Sequence, residues 1–469
     1  MAETEKPRRL DRTLTSRLVA LLGLLVFLVS TGTSRPSLAA TSWALELFAS
    51  GLGGLIHRHA AYGFDAGLLV QVSSFKIALL APMRFEHRGL RHRDWDERTD
   101  FGRIVGELSW GEPKDPIHVR IAAISSLTVG VGNLVFRYAS TVDVDHWRTG
   151  LVAAIDFKPA GGVVFVDSVL DPQVAGGRIH VRPFFWADDR GTFGRMEIGL
   201  SMVGDAAQPS DVLPGAPDAH GLPSSRTTAL LAGGIDLRWP VYRNRVAEVT
   251  PYAAWSRLGK ADGVHVGLAL DFAPHRDVRL AFQGEWRWLG SGYVASYFDG
   301  LYMADRYDFN GVSKAVARRR ANSSRMGGMA GALLAFEPYV SLGAVVEWDA
   351  RSEFRKVRGD LIVTVPERMR LAASIGARGF VTGSDLGHPV RRVAAASVDV
   401  SIYRSIAVFA AYSRDLVVVP AGQSSSRYTT SDSVLAGLRL GLAFGSGDGK
   451  KSGNSAGDSG TPQGAKVEH

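Results

Sequence analysis

The chain has 469 residues, 46% hydrophobic and 21% charged, with a formal net charge of +8, 53 glycines and no cysteine. Without thiols, disulfide scaffolds and cysteine-ligated zinc or iron–sulfur centres are excluded. Only one apolar run is long, so a bundle of membrane helices, each needing about 20 consecutive apolar residues, is excluded too.

That run lies at the N-terminus. Arg8, Arg9, Arg12 and Arg17 precede the apolar stretch Leu18 to Val29, which is broken only by Gly23. Ser37 and Ala39 follow as small residues at the −3 and −1 positions, so residues 1–39 read as a signal peptide cleaved after Ala39.

From residue 40 onward the dominant pattern has period two, the mark of strands with unlike faces. In Val264 to Phe272, Val264, Val266, Leu268, Leu270 and Phe272 alternate with His265, Gly267, Ala269 and Asp271. The next segment sets Val278, Leu280, Phe282, Trp286 and Trp288 against Arg279, Gln283, Glu285 and Arg287. Many such segments approach the roughly 9–11 residues a tilted strand needs to cross a bilayer, more than the ~5–6 usual in soluble sheets. Twenty starts are expected, near residues 43, 63, 75, 101, 116, 148, 161, 176, 193, 227, 246, 263, 277, 325, 339, 354, 368, 391, 405 and 431. Trp43, Trp110, Trp239, Trp286, Trp288, Trp348 and Phe444 fall at the ends of apolar faces, where a membrane-interface girdle belongs.

The connections sort by parity. Long ones, near residues 87–100, 126–147, 204–226, 290–324, 379–390 and 416–430, all follow odd-numbered segments. Short ones, such as Glu112-Pro113-Lys114-Asp115 and Pro274-His275, follow even-numbered segments. Outer-membrane barrels alternate short periplasmic turns with long outer loops in this way. The expected fold is therefore all-β: one large antiparallel transmembrane barrel of about 18–20 strands over residues 40–444, with a polar tail at 445–469. Both ends of the barrel would then face the periplasm.

The last segment runs Val434, Ala436, Leu438, Leu440, Leu442, Phe444 on one face, with Gly437, Arg439, Gly441 and Ala443 between. It resembles the terminal strand that the barrel-assembly machinery reads in bacterial outer-membrane proteins, although 25 residues follow Phe444 here. As a pattern the whole chain resembles large porin-like barrels. The stretch Gly130-Val131-Gly132-Asn133-Leu134-Val135-Phe136-Arg137-Tyr138 is similar to one in a porin-like subgroup without an assigned activity. The resemblance implies outer-membrane lipid, lipopolysaccharide, the assembly machinery and small polar solutes as partners.

With apolar faces turned to lipid, the opposite faces place Arg238, Arg279, Glu285, Arg287 and many other charges inside, with arginine in slight excess. So many inward charges imply a hydrated channel or dense ion pairing across the wall. Passive diffusion of small hydrophilic solutes, with a preference for anions, is the leading reading. Polymer export and a structural or adhesion barrel are the alternatives. In the connection from Leu127 to Trp147, Arg137 facing Asp143, Asp145 and His146 would form a constriction. The same acidic residues and His146 also suit a divalent cation or a plain solvated turn. The 290–324 connection, with six aromatics and Arg318-Arg319-Arg320, reads as a path for sugars or anionic lipid, or as a surface cap. Pro209 to Pro223 reads as a mobile loop. No Gly-x-Ser-x-Gly elbow occurs, and His265 has only small sequence neighbours on its face, so neither enzyme activity nor a cofactor is expected.

Overall fold

The computed structural model describes residues 43–56, 59–87, 89–141, 147–188, 191–217, 223–307, 312–379, 392–403, 405–418 and 428–446. The expected leader, its cleavage point, most of the tail, and Asp143, Asp145 and His146 lie outside the described residues.

Twenty long strands follow one another as an antiparallel meander. The first ten are β1 (Trp43–Ile56), β2 (His59–Val72), β3 (Phe75–Glu86), β4 (Val105–Trp110), β5 (Ile117–Ala123), β6 (Thr149–Phe157), β7 (Ala160–Val166), β8 (Val174–Val181), β9 (Glu197–Pro217) and β10 (Pro223–Arg238). The second ten are β11 (Ala247–Leu258), β12 (Ala261–His275), β13 (Val278–Leu289), β14 (Arg325–Phe336), β15 (Val340–Asp349), β16 (Lys356–Val365), β17 (Met369–Arg378), β18 (Arg392–Tyr403), β19 (Ile406–Val418) and β20 (Tyr428–Ser446). Each strand pairs with its neighbours in sequence, and β1 pairs with β20 from Trp43↔Ser446 to Leu55↔Val434. The sheet thus closes on itself and leaves no open edge, the condition for a sheet to cross a bilayer.

The pleat explains which residues face out. On β12, Val264, Val266 and Leu268 are 40%, 46% and 41% exposed, while His265 between them is fully buried. On β20, Val434, Leu438, Leu440, Leu442 and Phe444 are exposed in the same way. An apolar outer surface repeated around the whole wall is stable only against hydrocarbon. The aromatics divide into two bands. Trp255 lies level with Val264 and Trp288, and Trp286 with Gly328 and Trp348, at the end of the long connections. Trp43, Trp110, Trp239 and Phe444 mark the other end, where the turns are short.

Two expectations need correction. The connection 182–196 follows the even-numbered β8 and yet is long. Pro183, which has no N–H, stops β8, and the carboxylate of Asp188 then accepts from the backbone N–H of Phe193, stabilising a compact turn. Arg195 sits in the 3₁₀ turn Phe193–Arg195 of this connection rather than on a strand. The Pro/Gly-rich stretch is also not an open loop. The backbones of β9 and β10 stay paired out to Pro217↔Pro223, as a ribbon with register shifts where proline interrupts the ladder.

Candidate functional site

Two long connections fold into the lumen rather than over it. Residues 124–148 and 290–324 meet in a short parallel pairing, Val135↔Phe298 and Phe136↔Asp299. Gly132 turns the first segment at φ +84°, and a Cβ there would lie 2.7 Å from the Phe136 ring. The second segment carries two short helices, α1 (Tyr302–Asp305) and α2 (Lys314–Arg320), the latter capped by Ser313. Val129, Leu134, Val135, Tyr138, Tyr293, Tyr297, Phe298, Tyr302 and Met303 form one dry core, each no more than 3% exposed. This core packs on inward apolar residues of the wall: Phe165 of β7, Val174 of β8, Val203 of β9, Leu230 of β10, Leu258 of β11 and Leu289 of β13. The 290–324 segment is therefore an internal partition, not a surface cap.

Polar groups fix this partition to the wall. Tyr302 donates to Asp205 Oδ2 at 2.6 Å, and Arg306 Nη2 lies 3.0 Å from Asp205 Oδ1. Arg325 of β14 donates to the carbonyl of Tyr293 at 2.6 Å. Lys314 is fully buried, donates to the Tyr297 carbonyl at 2.7 Å, and sits 3.5 Å from Asp299 and 3.8 Å from Asp305. Asp299 pairs in turn with Lys356 of β16, and Asp305 with Arg378 of β17 at 2.7 Å. Buried charges persist only when paired and hydrogen-bonded in this manner.

Beneath the partition, Tyr293 enters a notch at Gly263 of β12, where any Cβ would lie 2.4 Å from its ring. Its hydroxyl contacts Ser256 and lies 3.0 Å from His265 Nε2, while His265 Nδ1 lies 2.9 Å from Glu285. Glu285 pairs with Arg287, whose Nη1 is 2.7 Å from Glu347 of β15. Ser256, Tyr293 and His265 are 0% exposed and Glu285 5%. A serine–tyrosine–histidine–glutamate string sealed from solvent admits no substrate, so it reads as a clamp between partition and wall.

The structure places the sequence-derived site residues at different levels. Glu285 and Arg287 lie in this sealed clamp. Arg238 faces inward opposite Glu197, and Arg279 pairs with Asp271 at 2.9 Å near the short turns. Arg137, held at φ +52°, reaches Asp360 of β16 with Nη1 at 2.7 Å. Among the described residues, the carboxylate that Arg137 binds is thus Asp360 of the wall. Among the described residues, no group of three or more histidine, aspartate or glutamate side chains is arranged to hold a metal ion.

The partition fills one side of the barrel, against β7–β13. On the other side remains a cavity of about 540 Å³, bounded by β1–β5 and β15–β20. Arg84, Arg103, Arg120, Arg137, Lys356, Arg358 and Arg439 line it, against the carboxylates Asp65, Asp299 and Glu347. Small residues of β17–β20, among them Ser374, Gly376, Ala395, Ala411 and Ser433, keep that wall thin and the space open. Of the sequence-derived site residues that are described, Arg137 reaches this cavity. Arg358 and Asp360 were missed because the residue they meet lies more than 200 positions away in the chain.

No family model matches the chain, and no curated protein matches it in sequence. Solved structures with a similar fold include OccAB2 of Acinetobacter baumannii, at 9% identity and TM-score 0.33, covering 86% of this chain and 98% of that one. OccK8 (OprE) of Pseudomonas aeruginosa aligns at 9% identity and TM-score 0.32, covering 87% and 98%. The ferric enterobactin receptor PfeA, also of Pseudomonas aeruginosa, aligns at 8% identity and TM-score 0.34, covering 87% and 82%. In architecture the chain is a closed, transmembrane, porin-like β-barrel, a conclusion carried by its own strand pairing and apolar exterior.

Proposed function

We propose that the protein is an outer-membrane channel passing small hydrophilic solutes, preferring anions, through the lumen beside the partition. The barrel ends at Trp43 and Ser446 then face the periplasm, and the long connections face outward. One observation carries the reading: the open space left by the partition is bordered by seven cationic side chains and three carboxylates. Each of these cations is ion-paired, to Asp94, Asp100, Glu107, Asp299, Glu347, Asp360 or Asp399, so the anion preference rests on the guanidinium groups bordering the space rather than on an excess of positive charge. The partition argues against polymer export, because it removes the width that a polymer would need. Among the described residues, the serine–tyrosine–histidine–glutamate string is sealed from solvent and gives enzyme chemistry no support.

Planar-bilayer recording of the purified, folded protein tests this. Conductance steps are expected, with a reversal potential in a KCl gradient showing chloride preference. Silent membranes would refute the channel, and cation preference would refute the anion reading.

A further inference from the structure

Large apolar residues face inward on both sides of the lumen, but the partition covers only one set. Leu230, Leu258 and Leu289 belong to its dry core. Phe48 of β1, Leu80 of β3, Phe409 of β19 and Leu435 of β20 lie outside that core and line the open cavity. Phe136 and Leu301 of the partition line the same space. A passage for simple hydrated anions gains nothing from this surface, because apolar side chains facing water are unfavourable.

Two of the rings are built around one cation on β20, whose inward face runs Gly437, Arg439, Gly441. Phe409 is registered with Gly437, and Phe48 with Gly441. A Cβ at Gly437 would lie 2.7 Å from the Phe409 ring, and one at Gly67 of β2 would run into the Phe48 ring. Each ring therefore rests against bare backbone. Arg439 lies between these positions, its Cζ 5.3 Å from the centre of the Phe409 ring and its Nη1 3.3 Å from Asp399 of β18. Its side chain stays 17% exposed, toward the cavity it lines.

We infer that this side of the cavity is a recognition subsite for organic anions with a flat apolar body, such as aryl carboxylates and aryl sulfonates. The body covers Phe48 and Phe409, and the anionic group meets the guanidinium of Arg439. An inorganic anion would answer the arginine and leave the rings in water. A neutral aromatic would cover the rings and leave the arginine unanswered. Only a solute carrying both parts matches the surface. The inference rests on the anion channel proposed above, and narrows its solutes to anions able to cover this apolar surface.

Isothermal titration calorimetry of the folded full-length barrel in detergent, against a protein-free blank, tests it with 2-naphthoate, cyclohexanecarboxylate and gluconate. These share one negative charge and differ in the body that carries it. The expected order is 2-naphthoate tightest, then cyclohexanecarboxylate, then gluconate, with about tenfold between the first and last. Phe48→Ala should weaken 2-naphthoate about tenfold and leave gluconate unchanged. Phe48→Leu keeps the wall packed should the alanine variant fail to fold, and should cost about threefold. Arg439→Gln should weaken all three anions, and Arg439→Lys should recover part of the loss. Equal affinity for 2-naphthoate and gluconate, or wild-type affinity in folded Phe48→Ala or Arg439→Gln, would overturn the subsite. Chloride current in planar bilayers is read on the same preparations. Conductance without discrimination among the three anions would sink the subsite and leave the channel standing. Discrimination in the calorimeter with silent membranes would uphold the subsite and sink the channel.

Discussion

The hydroxyl of Tyr293, on the inserted partition, lies 3.0 Å from Nε2 of His265, on the inner wall of the barrel. This contact joins a 35-residue connection to β12 at a point where neither group meets solvent. Tyr293→Phe keeps the ring in the Gly263 notch and removes only the hydroxyl. Ser256 and His265 are then left without that partner, at a cost of about 1–3 kcal/mol. Guanidinium unfolding in detergent should show the loss, and single-channel records should become noisier as the partition loosens.

Gly263→Ala attacks the same junction by shape. The added methyl would stand 2.4 Å from the Tyr293 ring, so the ring must leave its notch. Because the partition is one packed unit, its displacement should widen the lumen. Larger conductance steps and faster uptake of bulky solutes in liposome swelling are the expected outcomes. Wild-type conductance in a folded variant would show that the ring relaxes in place.

Arg287 binds two carboxylates, Glu285 and Glu347, and is itself 3% exposed. Arg287→Met would leave both acids buried beside an apolar side chain. Removing one partner of a buried ion pair costs about 3–5 kcal/mol. Glu347→Gln keeps hydrogen bonding to Arg287 and should cost less. The order of the two unfolding midpoints, Arg287→Met below Glu347→Gln, is the measurement.

The wall was legible in the sequence, and the partition was not. A strand with lipid on one side and water or polar groups on the other must alternate, and Val264 to Phe272 does so without exception. Strand starts such as Phe75, Val278 and Arg325 therefore follow from local pattern alone. Whether 290–324 lies over the barrel or within it depends on contacts made hundreds of residues apart. A signal was present: Leu230, Leu258 and Leu289 are apolar on the inward register, and only a dry neighbour inside the lumen makes them stable there. The partners of Arg137 and Arg378 carried no such trace, because charge pairing across the lumen has no sequence period.

Arg137 and Arg358 both contact Asp360, which leaves one net positive charge at the edge of the cavity. Arg358→Glu changes that local charge by two units. At about 8 Å in water this is worth roughly 1 kcal/mol, or about fivefold in the relative occupancy of an anion. The reversal potential in a dilute KCl gradient should move toward cation preference, and the shift should shrink at high salt. Asp360→Asn should move it the opposite way.

Asp100 sits in the connection between β3 and β4, in the 3₁₀ segment Arg98–Ile104. Burial pushes its carboxyl up from 3.8 to about 6, against the opposing pull of Arg103. A carboxyl with a raised folded-state value favours folding in its protonated form. Its contribution is therefore full below about pH 4 and is lost as pH rises toward 6. Opening of this segment should become easier across that window, with amide exchange at residues 98–104 rising beyond the intrinsic pH effect. Asp100→Asn, which cannot ionise, should flatten the excess, and a wild-type profile in that variant would assign the pH dependence elsewhere.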